Sequence, residues 1–354
     1  MSQHPDQLGF EWLDRSLDDV PAVVPKRATK RGAPQPAAPA LTYEQMAQLL
    51  DASADFKVLR RLEPVYQFPP APVGAELRRV AILDTETTGL SHELDQVIEL
   101  AVVVVDVDIA TGQPVAAVQV FDGLEDPGRP ISAEITQLTG IRNEDVRGKK
   151  IDEDALAAVM SGVHWVVAHN AGFDRPFVEA RLPKLFADLP WACSFADLDW
   201  KSFGQGSAKL EALAADVGLF YAAHRADIDC HALLAVLTRK CDPKTGETLL
   251  KALWHAGQAT HYKLSAVGAP FETKDTLKAR GYRWDSQARV WSTKLTSLDS
   301  LNQERAWLSQ MVYANPKAPI RIETLRGVDR YAKREGDVVI NTENTCTRLH
   351  RRCW

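Results

Sequence analysis

The hydrophobic pattern of the chain becomes regular at residue 75, where apolar runs begin to alternate with segments of helical periodicity. Two of these runs, residues 78–83 and 96–106, are apolar almost throughout, which is typical of strands buried on both faces. A third run follows as in an antiparallel meander, and a fourth comes after two helical segments. The predicted strands are residues 78–83, 96–106, 115–121 and 164–169, and the predicted helices begin at Ser132 and Asp152. Strands on both sides of crossover helices predict an α/β sheet covered by helices.

The residues before this region carry a weaker pattern. Residues 1–41 end in a stretch rich in Pro and Ala, and they predict a flexible N-terminal segment followed by a linker. Residues 42–74 predict a helical lead-in, with one amphipathic helix from Thr42 through Leu50 and a second over residues 55–62. The lead-in could pack on the main domain or bind a partner, and the pattern leaves both open.

The chain after the sheet region predicts a helical connector, a small α+β module and a basic tail. The predicted boundaries are 75–240 for the sheet domain, 241–262 for the connector, 263–314 for the module and 315–354 for the tail. Within the module, residues 273–280 predict a helix. Residues 282–284 and 290–292 predict a hairpin around a polar turn.

Aromatic residues are interleaved with Lys and Arg in this module. Such a composition is typical of a nucleic-acid surface, on which bases stack and cations contact phosphates. The alternative is that Tyr282, Trp284 and Trp291 form the core of a small hairpin domain. Arg283 and Trp284 are therefore candidate nucleic-acid contacts, with core packing as the competing role of the tryptophan.

Composition narrows the class of protein. Of the 354 residues, 45% are hydrophobic and 25% charged, as in ordinary soluble globular proteins, and no apolar run is long enough to predict a membrane span. The N-terminus lacks the pattern of a signal peptide, and the five cysteines have no metal-ligand spacing, so we expect a reducing cytoplasm. The net charge is −5, but it is unevenly distributed. Residues 271–354 are basic, with 16 Lys and Arg against 10 Asp and Glu.

The densest chemistry lies at residues 83–89, with the sequence LDTETTG. Because residues i and i+2 of a strand share a face, Asp84 and Glu86 present two carboxylates side by side. Two such oxygen ligands suit Mg²⁺ or Mn²⁺, although a solvent-facing acidic pair on an edge strand is the alternative. Glu99, inside the second strand, either supports this site or finds a backbone partner.

Two further acidic residues lie near the starts of predicted helices. Asp174 falls in the opening turn of a helix that follows the strand at 164–169, where open α/β sheets bind ligands. Asp229 lies inside the helix that begins after His224, and a histidine beside that helix suits a general base. Alternatively, Asp174 serves only as a favourable helix-start residue, and His224 is structural or solvated.

Asp84, Glu86, Asp174, Asp229 and His224, in this order, resemble the site of the DnaQ-like 3′–5′ exonucleases. The resemblance is to the histidine branch of the DEDD superfamily, which includes the epsilon proofreading subunits, and it covers about residues 77–240. It implies a ribonuclease H-like mixed five-stranded sheet flanked by helices. It also implies that the four carboxylates bind two Mg²⁺ or Mn²⁺ ions and that His224 takes the proton from the attacking water. The nucleotide-contacting positions implied are Thr87, Thr88 and Leu90, with Asn170 and Phe173 as weaker candidates.

The sequence thus predicts a hydrolase that releases nucleoside 5′-monophosphates from DNA 3′ ends, in DNA repair or processing. The expected partner is single-stranded DNA or a DNA 3′ end, and a polymerase or repair partner is compatible with the resemblance. One alternative is an exoribonuclease that trims RNA, because nothing in the motifs reads the 2′-OH. The other is a nucleic-acid-binding protein with a silent site, although none of the acids is missing.

Overall fold

A computed structural model describes residues 41–241, 244–315, 317–342 and 345–349, and it divides the chain into two compact units at residue 56. The predicted flexible segment lies outside these residues except for Leu41. In the first unit, helix α1 (Tyr43–Asp51) begins at Thr42, whose hydroxyl accepts a hydrogen bond from the Gln45 amide. The Gln45 side chain accepts one from the Thr42 amide in return, which completes a capping box and confirms the first lead-in helix.

The second unit contains a mixed five-stranded sheet, which confirms the predicted ribonuclease H-like α/β architecture. After the short strand β1 (Arg60–Arg61), its strands are β2 (Leu77–Thr87), β3 (Val97–Asp108), β4 (Gln113–Leu124), β5 (Trp165–Ala168) and β6 (Trp191–Cys193). The spatial order is β4-β3-β2-β5-β6. Neighbours are antiparallel from β4 to β2 and parallel from β2 to β6.

Helices cover both faces of this sheet, as the apolar strand runs predict. They are α2 (Ala133–Thr139), α3 (Asn143–Val146), α4 (Glu153–Val159), α5 (Ala171–Arg181), α6 (Pro183–Phe186), α7 (Ser194–Asp197), α8 (Leu210–Asp216), α9 (Ala226–Leu237) and α10 (Leu249–Gln258). Val80 and Ile82 of β2 pack against α8, α9 and α10, whereas Ala81 and Leu83 pack against α4 and α5. Alternate residues of one strand therefore serve two cores.

The predicted second lead-in helix, over residues 55–62, is wrong. The structure instead has β1 there, paired in parallel with the short strand β7 (Leu219–Phe220). The Leu62 amide donates to the Phe220 carbonyl at 2.8 Å, and the Leu62 side chain is buried in the main core. Pairing with a segment far along the chain overrides the local helical pattern.

The C-terminal module contains the predicted helix and hairpin. It begins with β8 (His261–Ala266) and a 3₁₀ turn at Phe271–Thr273, followed by α11 (Lys274–Ala279), β9 (Arg283–Asp285), β10 (Val290–Leu295) and α12 (Leu298–Trp307), which continues as a π-helical turn at Leu308–Val312. Its own core contains Tyr282, Leu301 and Leu308. The helix of the predicted connector, α10, packs in the main core instead of standing between domains.

The prediction of a low-pattern tail over residues 315–354 is wrong for most of its length. The structure has three strands in this region, β11 (Ile320–Leu325), β12 (Asp337–Thr342) and β13 (Thr345–Leu349). These strands extend the module into an antiparallel six-stranded sheet of order β13-β12-β11-β8-β10-β9. Ile320 and Ile322 are buried against the module core. Residues 350–354 lie outside the described residues, and no described helix has the length and apolarity to span a bilayer.

Candidate active site

Strand β2 presents two carboxylates to helix α9. Val80 and Ile82 pack against α9, and Asp84 and Glu86 continue along the same face because alternate residues of a strand share a face. Asp229 lies in the first turn of α9. One carboxylate oxygen from each of these three acids lies within 4.8 Å of the others. The fold therefore brings three of the sequence-predicted ligands, from two elements, to one place.

Two donors orient the Asp229 carboxylate. The Tyr221 hydroxyl donates to Oδ1 at 3.1 Å, and the Arg225 amide donates to Oδ2 at 3.1 Å. Both come from the segment that leads into α9, so the same turn that starts the helix also fixes its acid. The amide is one of the donors that a helix start leaves without an intrahelical partner.

Glu99 anchors this turn from the neighbouring strand β3. Its side chain is fully buried, and its oxygens accept from the Arg225 guanidinium at 2.7–3.3 Å and from the Ala226 amide at 2.9 Å. Glu99 lies outside the group of three acids but opposite Glu86 in the strand register, and after burial its charge is among those that raise the pKa values of Glu86 and Asp84. Of the two roles predicted for it, the backbone partner is present in the structure.

Asp174 reaches the site from the opposite face of the sheet. It lies in the first turn of α5 with 3% of its surface exposed, and the Thr85 hydroxyl donates to its Oδ1 at 2.8 Å. Thr85 lies between the two β2 acids and, by strand alternation, points toward α5. Asp174 is not among the three acids that lie within 4.8 Å of one another.

The four acids have raised pKa values because burial disfavours their charged forms. Burial, followed by the charge of Asp174, holds the pKa of Asp84 well above its usual range. Burial raises the pKa of Glu86 to about 8, with Asp229 adding to it, and that of Asp174 to about 7. Burial also raises the pKa of Asp229 to about 6, against the hydrogen bond from Tyr221. Acids held this close repel one another, so a cation between them would be strongly favoured.

A cavity of about 470 Å³ opens above these acids. Of the sequence-predicted residues, Asp84, Glu86, Asp229, His224, Thr87, Leu90, Asn170 and Phe173 line it. His224 is exposed and has a positive φ of 67°, two residues before α9 begins. Leu90 is 87% exposed on the loop that follows β2. The cavity thus combines an acidic floor with a histidine and apolar side chains on its walls.

Three predicted nucleotide-contacting residues lie elsewhere. The Thr88 hydroxyl donates to Asp95 at 3.2 Å and accepts from the Arg129 guanidinium at 2.5 Å, so it fixes the loop after β2 instead of lining the cavity. Arg283 and Trp284 belong to β9, at the edge of the second sheet, and they are not part of the cavity wall. Trp284 is 51% exposed and packs beside Trp291, at 5.6 Å between ring centroids.

Several cavity residues were not predicted from the sequence. They are Ile135, Leu138 and Thr139 of α2, His169 after β5, Phe195 of α7, and Lys209 and Glu211 around the start of α8. The His169 ring nitrogens are both engaged, since Nε2 donates to the Ala208 carbonyl and Nδ1 lies 2.8 Å from the Ser194 hydroxyl. Burial lowers the pKa of His169, which favours the neutral ring. His169 and Phe195 follow the carboxyl ends of parallel strands, where open α/β sheets bind ligands. This position in the sequence could have identified them as cavity residues.

Comparison with known proteins places this geometry in a family. The RNase T exonuclease family matches residues 81–237. The PolC-type DNA polymerase III of Latilactobacillus sakei is 40% identical over 116 residues, 32% of this chain and 8% of that protein. The Bacillus subtilis PolC-type polymerase is 35% identical over 109 residues, 29% of this chain and 7% of its own length. The chain thus spans less than a tenth of the length of either polymerase.

Among solved structures, Exonuclease X in complex with 5′-overhanging duplex DNA is 28% identical, with a TM-score of 0.37, over 50% of this chain and 99% of that one. A zinc-bound complex of Escherichia coli ExoI with single-stranded DNA is 19% identical, with a TM-score of 0.36, over 48% of this chain and 42% of that one. The match to the family covers the strands and helices that carry all four acids and His224. Residues 81–237 are therefore similar to the exonuclease domains of the RNase T family.

Proposed function

We propose that this protein is a metal-dependent 3′–5′ exonuclease that hydrolyses phosphodiester bonds at DNA 3′ ends and releases nucleoside 5′-monophosphates. The observation that supports this most strongly is the group formed by Asp84, Glu86 and Asp229, within 4.8 Å of one another at the floor of an open cavity. The family of residues 81–237 gives the reaction class. The names of the polymerase relatives favour DNA over RNA as the substrate.

The donor set fits hard divalent cations. Its members are carboxylates alone, and burial followed by their mutual repulsion raises the pKa values of Asp84 and Glu86, so a cation bound among them would be stabilised. We assign Asp84, Glu86 and Asp229, with Asp174 beside them, as the residues that would hold two Mg²⁺ or Mn²⁺ ions. Such ions, when bound, would stabilise the negative charge that develops on the attacking and leaving oxygens.

His224 is the residue we assign as general base. It is exposed on the cavity wall, where a water molecule and the terminal phosphodiester of a bound strand could both reach its ring. The Glu99–Arg225 ion pair and the hydrogen bond from the Ala226 amide hold the chain immediately after it. The positive φ of His224 turns the backbone there, so this anchor determines where the ring projects.

The apolar cavity walls suit the terminal base and sugar. Leu90 lies on the loop after β2 and Phe173 in α5, and Phe195 and Leu138 add two more exposed apolar surfaces. Thr87 and Asn170 supply polar groups between them. We propose that these side chains hold the last nucleotide while the phosphodiester before it is cleaved. A cytoplasmic role in DNA repair, with a polymerase or repair partner, is consistent with this activity.

Digestion of matched DNA and RNA strands tests the proposal. Each strand carries a 5′ label, and we expect the DNA to shorten stepwise from its 3′ end in Mg²⁺ or Mn²⁺, with 5′-monophosphates as the products. Phosphorothioate linkages at the 3′ end should block digestion, whereas the same linkages at the 5′ end should not. Faster digestion of the RNA strand would instead identify an exoribonuclease. Binding of either strand without any cleavage would indicate a silent site.

Magnesium should raise the melting temperature more at alkaline than at acidic pH. Burial raises the pKa of Glu86 to about 8, so without metal its contribution to stability is present at low pH and lost as pH rises through the window from about 5 to 8. Mg²⁺ competes with protons for the same oxygens and restores that loss as they ionise. The increase in melting temperature on adding MgCl₂ should therefore grow across this window. A Glu86→Gln variant should show a smaller and flatter increase, and an increase in the wild type that does not change with pH would contradict the assignment.

A further inference from the structure

The face of the second sheet that is turned away from its core carries a group of cations without ion pairs. Trp291 and Leu295 of β10 pack in the module core, so Ser292 and Lys294 point to the other face. The strand register places Lys263 of β8 opposite Lys294, and Arg283 of β9 opposite Ser292. We call Lys263, Arg283 and Lys294 the basic sheet face.

These three cations form no ion pair in the described structure, whereas many of the described arginines do. Arginines such as Arg79, Arg181 and Arg280 lie within 4 Å of a carboxylate. Within the described part of the chain, Lys263, Arg283 and Lys294 make no such contact. Two acids share this face. Glu323, opposite Lys263 in the register, has an Oε1 that accepts from the Gly336 amide at 2.8 Å. Asp285 of β9 has an Oδ1 that accepts from the Gln287 and Ala288 amides.

The cross-strand pair of lysines is itself unfavourable. Side chains directly opposite in an antiparallel pair have Cβ atoms about 5 Å apart, and like charges at that distance repel. Glu323 and Asp285 offset part of this repulsion without coming within ion-pair distance of either lysine, and an anion bound between the two cations would relieve the rest. Lys294 and Arg283 are exposed and Lys263 is half-buried, so a ligand can reach all three.

The basic sheet face begins near the wall of the active-site cavity. His261 pairs with Leu325, the last residue of β11, and the connection that follows carries Arg330, whose guanidinium forms an ion pair with Asp197. Asp197 ends α7, the helix whose Phe195 lines the cavity. A polynucleotide that places its 3′ end in the cavity could therefore continue over Lys294 toward Lys263 and Arg283.

We propose that the basic sheet face binds phosphates of the substrate strand, on the 5′ side of the nucleotides held in the cavity. This inference rests on the proposed exonuclease function. Strands of a sheet lie about 4.8 Å apart and alternate residues about 6.7 Å apart, so the three cations span a distance that fits two or three consecutive phosphates of an extended strand.

The test compares two triple variants that remove the same charge. One is Lys263→Gln with Arg283→Gln and Lys294→Gln. The control is Arg147→Gln with Lys149→Gln and Lys150→Gln, three exposed cations on the sheet domain that also lack an ion pair in the described structure. Binding of a single DNA strand long enough to cover cavity and face is measured in an Asp84→Ala background, as a function of salt. Hydrolysis of the p-nitrophenyl ester of thymidine 5′-monophosphate is measured without that background.

We expect the sheet-face variant to bind the strand at least about tenfold more weakly, and the slope of log K against log salt to fall by about 2, since each phosphate contact contributes about 0.7. The small ester, which cannot reach the face, should be hydrolysed at the wild-type rate, and the melting temperature should not fall. Equal binding losses in both triple variants, or none in the sheet-face variant, would overturn the inference. Failure of the wild type to hydrolyse either substrate would refute the proposed function, while the binding comparison would still decide the role of the face.

Discussion

Replacing Asp84 with Ala is expected to slow the release of mononucleotides by at least about a thousandfold, equivalent to about 4 kcal/mol of transition-state stabilisation. Asp84 has both other members of the acidic group within 4.8 Å, and Asp174 is the neighbour whose charge raises its pKa most. Its loss should therefore disrupt every metal position that the cavity floor provides. Release is measured from a labelled single strand in Mn²⁺ and Mg²⁺, with and without chelator.

The same substitution should leave the metal-free protein at least as stable as the wild type. Burial disfavours the charged form of Asp84, and removing the group relieves the repulsion among the acids. The matched control is Asp227→Ala, which removes an acid two residues before Asp229 that does not line the cavity. Full activity in the Asp84 variant would refute the site assignment. Loss of activity together with a large fall in melting temperature would mean that Asp84 is needed for folding.

The convergence of Asp84, Glu86 and Asp229 could be predicted from one local rule and one resemblance. Alternation along a strand fixes the shared face of the first two, and the third lies in the first turn of the helix after His224, where the family resemblance implied it. The five-stranded sheet follows from the same apolar runs, since β3 is buried on both faces over nearly its whole length. The chemistry of this site is thus encoded in short segments.

Other features depend on partners that are distant in the sequence. Thr88 belongs to the same motif as Thr87, yet its hydroxyl turns to Asp95 and Arg129, and nothing within the motif distinguishes the two threonines. The pairing of Glu99 with Arg225 joins residues 126 positions apart. Strand β11 alternates Ile320 and Ile322 with Arg321 and Glu323, a signal too short to predict a strand by itself, and the strand is defined by its pairing with β8.

Breaking the Arg330–Asp197 ion pair is expected to cost about 3–5 kcal/mol of stability and to lower the melting temperature by roughly 10 °C. Arg330 lies in the connection between β11 and β12, and both side chains of the pair are 2% exposed. Arg330 also donates to the Ala256 carbonyl at 2.9 Å, and the Tyr331 hydroxyl donates to Asp197. In an Arg330→Ala variant, the Asp197 charge would remain buried without its partner. Thermal unfolding of this variant gives the measurement.

Two variants separate this cost from a general effect of losing charge. Arg326→Ala, in the same connection, breaks an exposed pair with Asp337 and should cost less than about 1 kcal/mol. Combining Arg330→Met with Asp197→Asn removes both charges and keeps an acceptor for the Cys193 amide, so much of the stability should return. A double variant as unstable as Arg330→Ala would show that the lost contacts, and not the unpaired acid, carry the cost.

The Arg330→Ala substitution should change KM more than kcat. Asp197 ends the helix that carries Ser194 and Phe195, and these two residues contact His169 at the cavity wall. Releasing Asp197 should loosen the surface that holds the terminal nucleotide while the acids on β2 and α9 keep their places. If Phe195 is the residue through which Arg330 acts, Phe195→Ala and Arg330→Ala should raise KM less together than their separate effects predict. Additive effects of the two substitutions on KM would mean that the connection between β11 and β12 supports the fold without shaping the cavity.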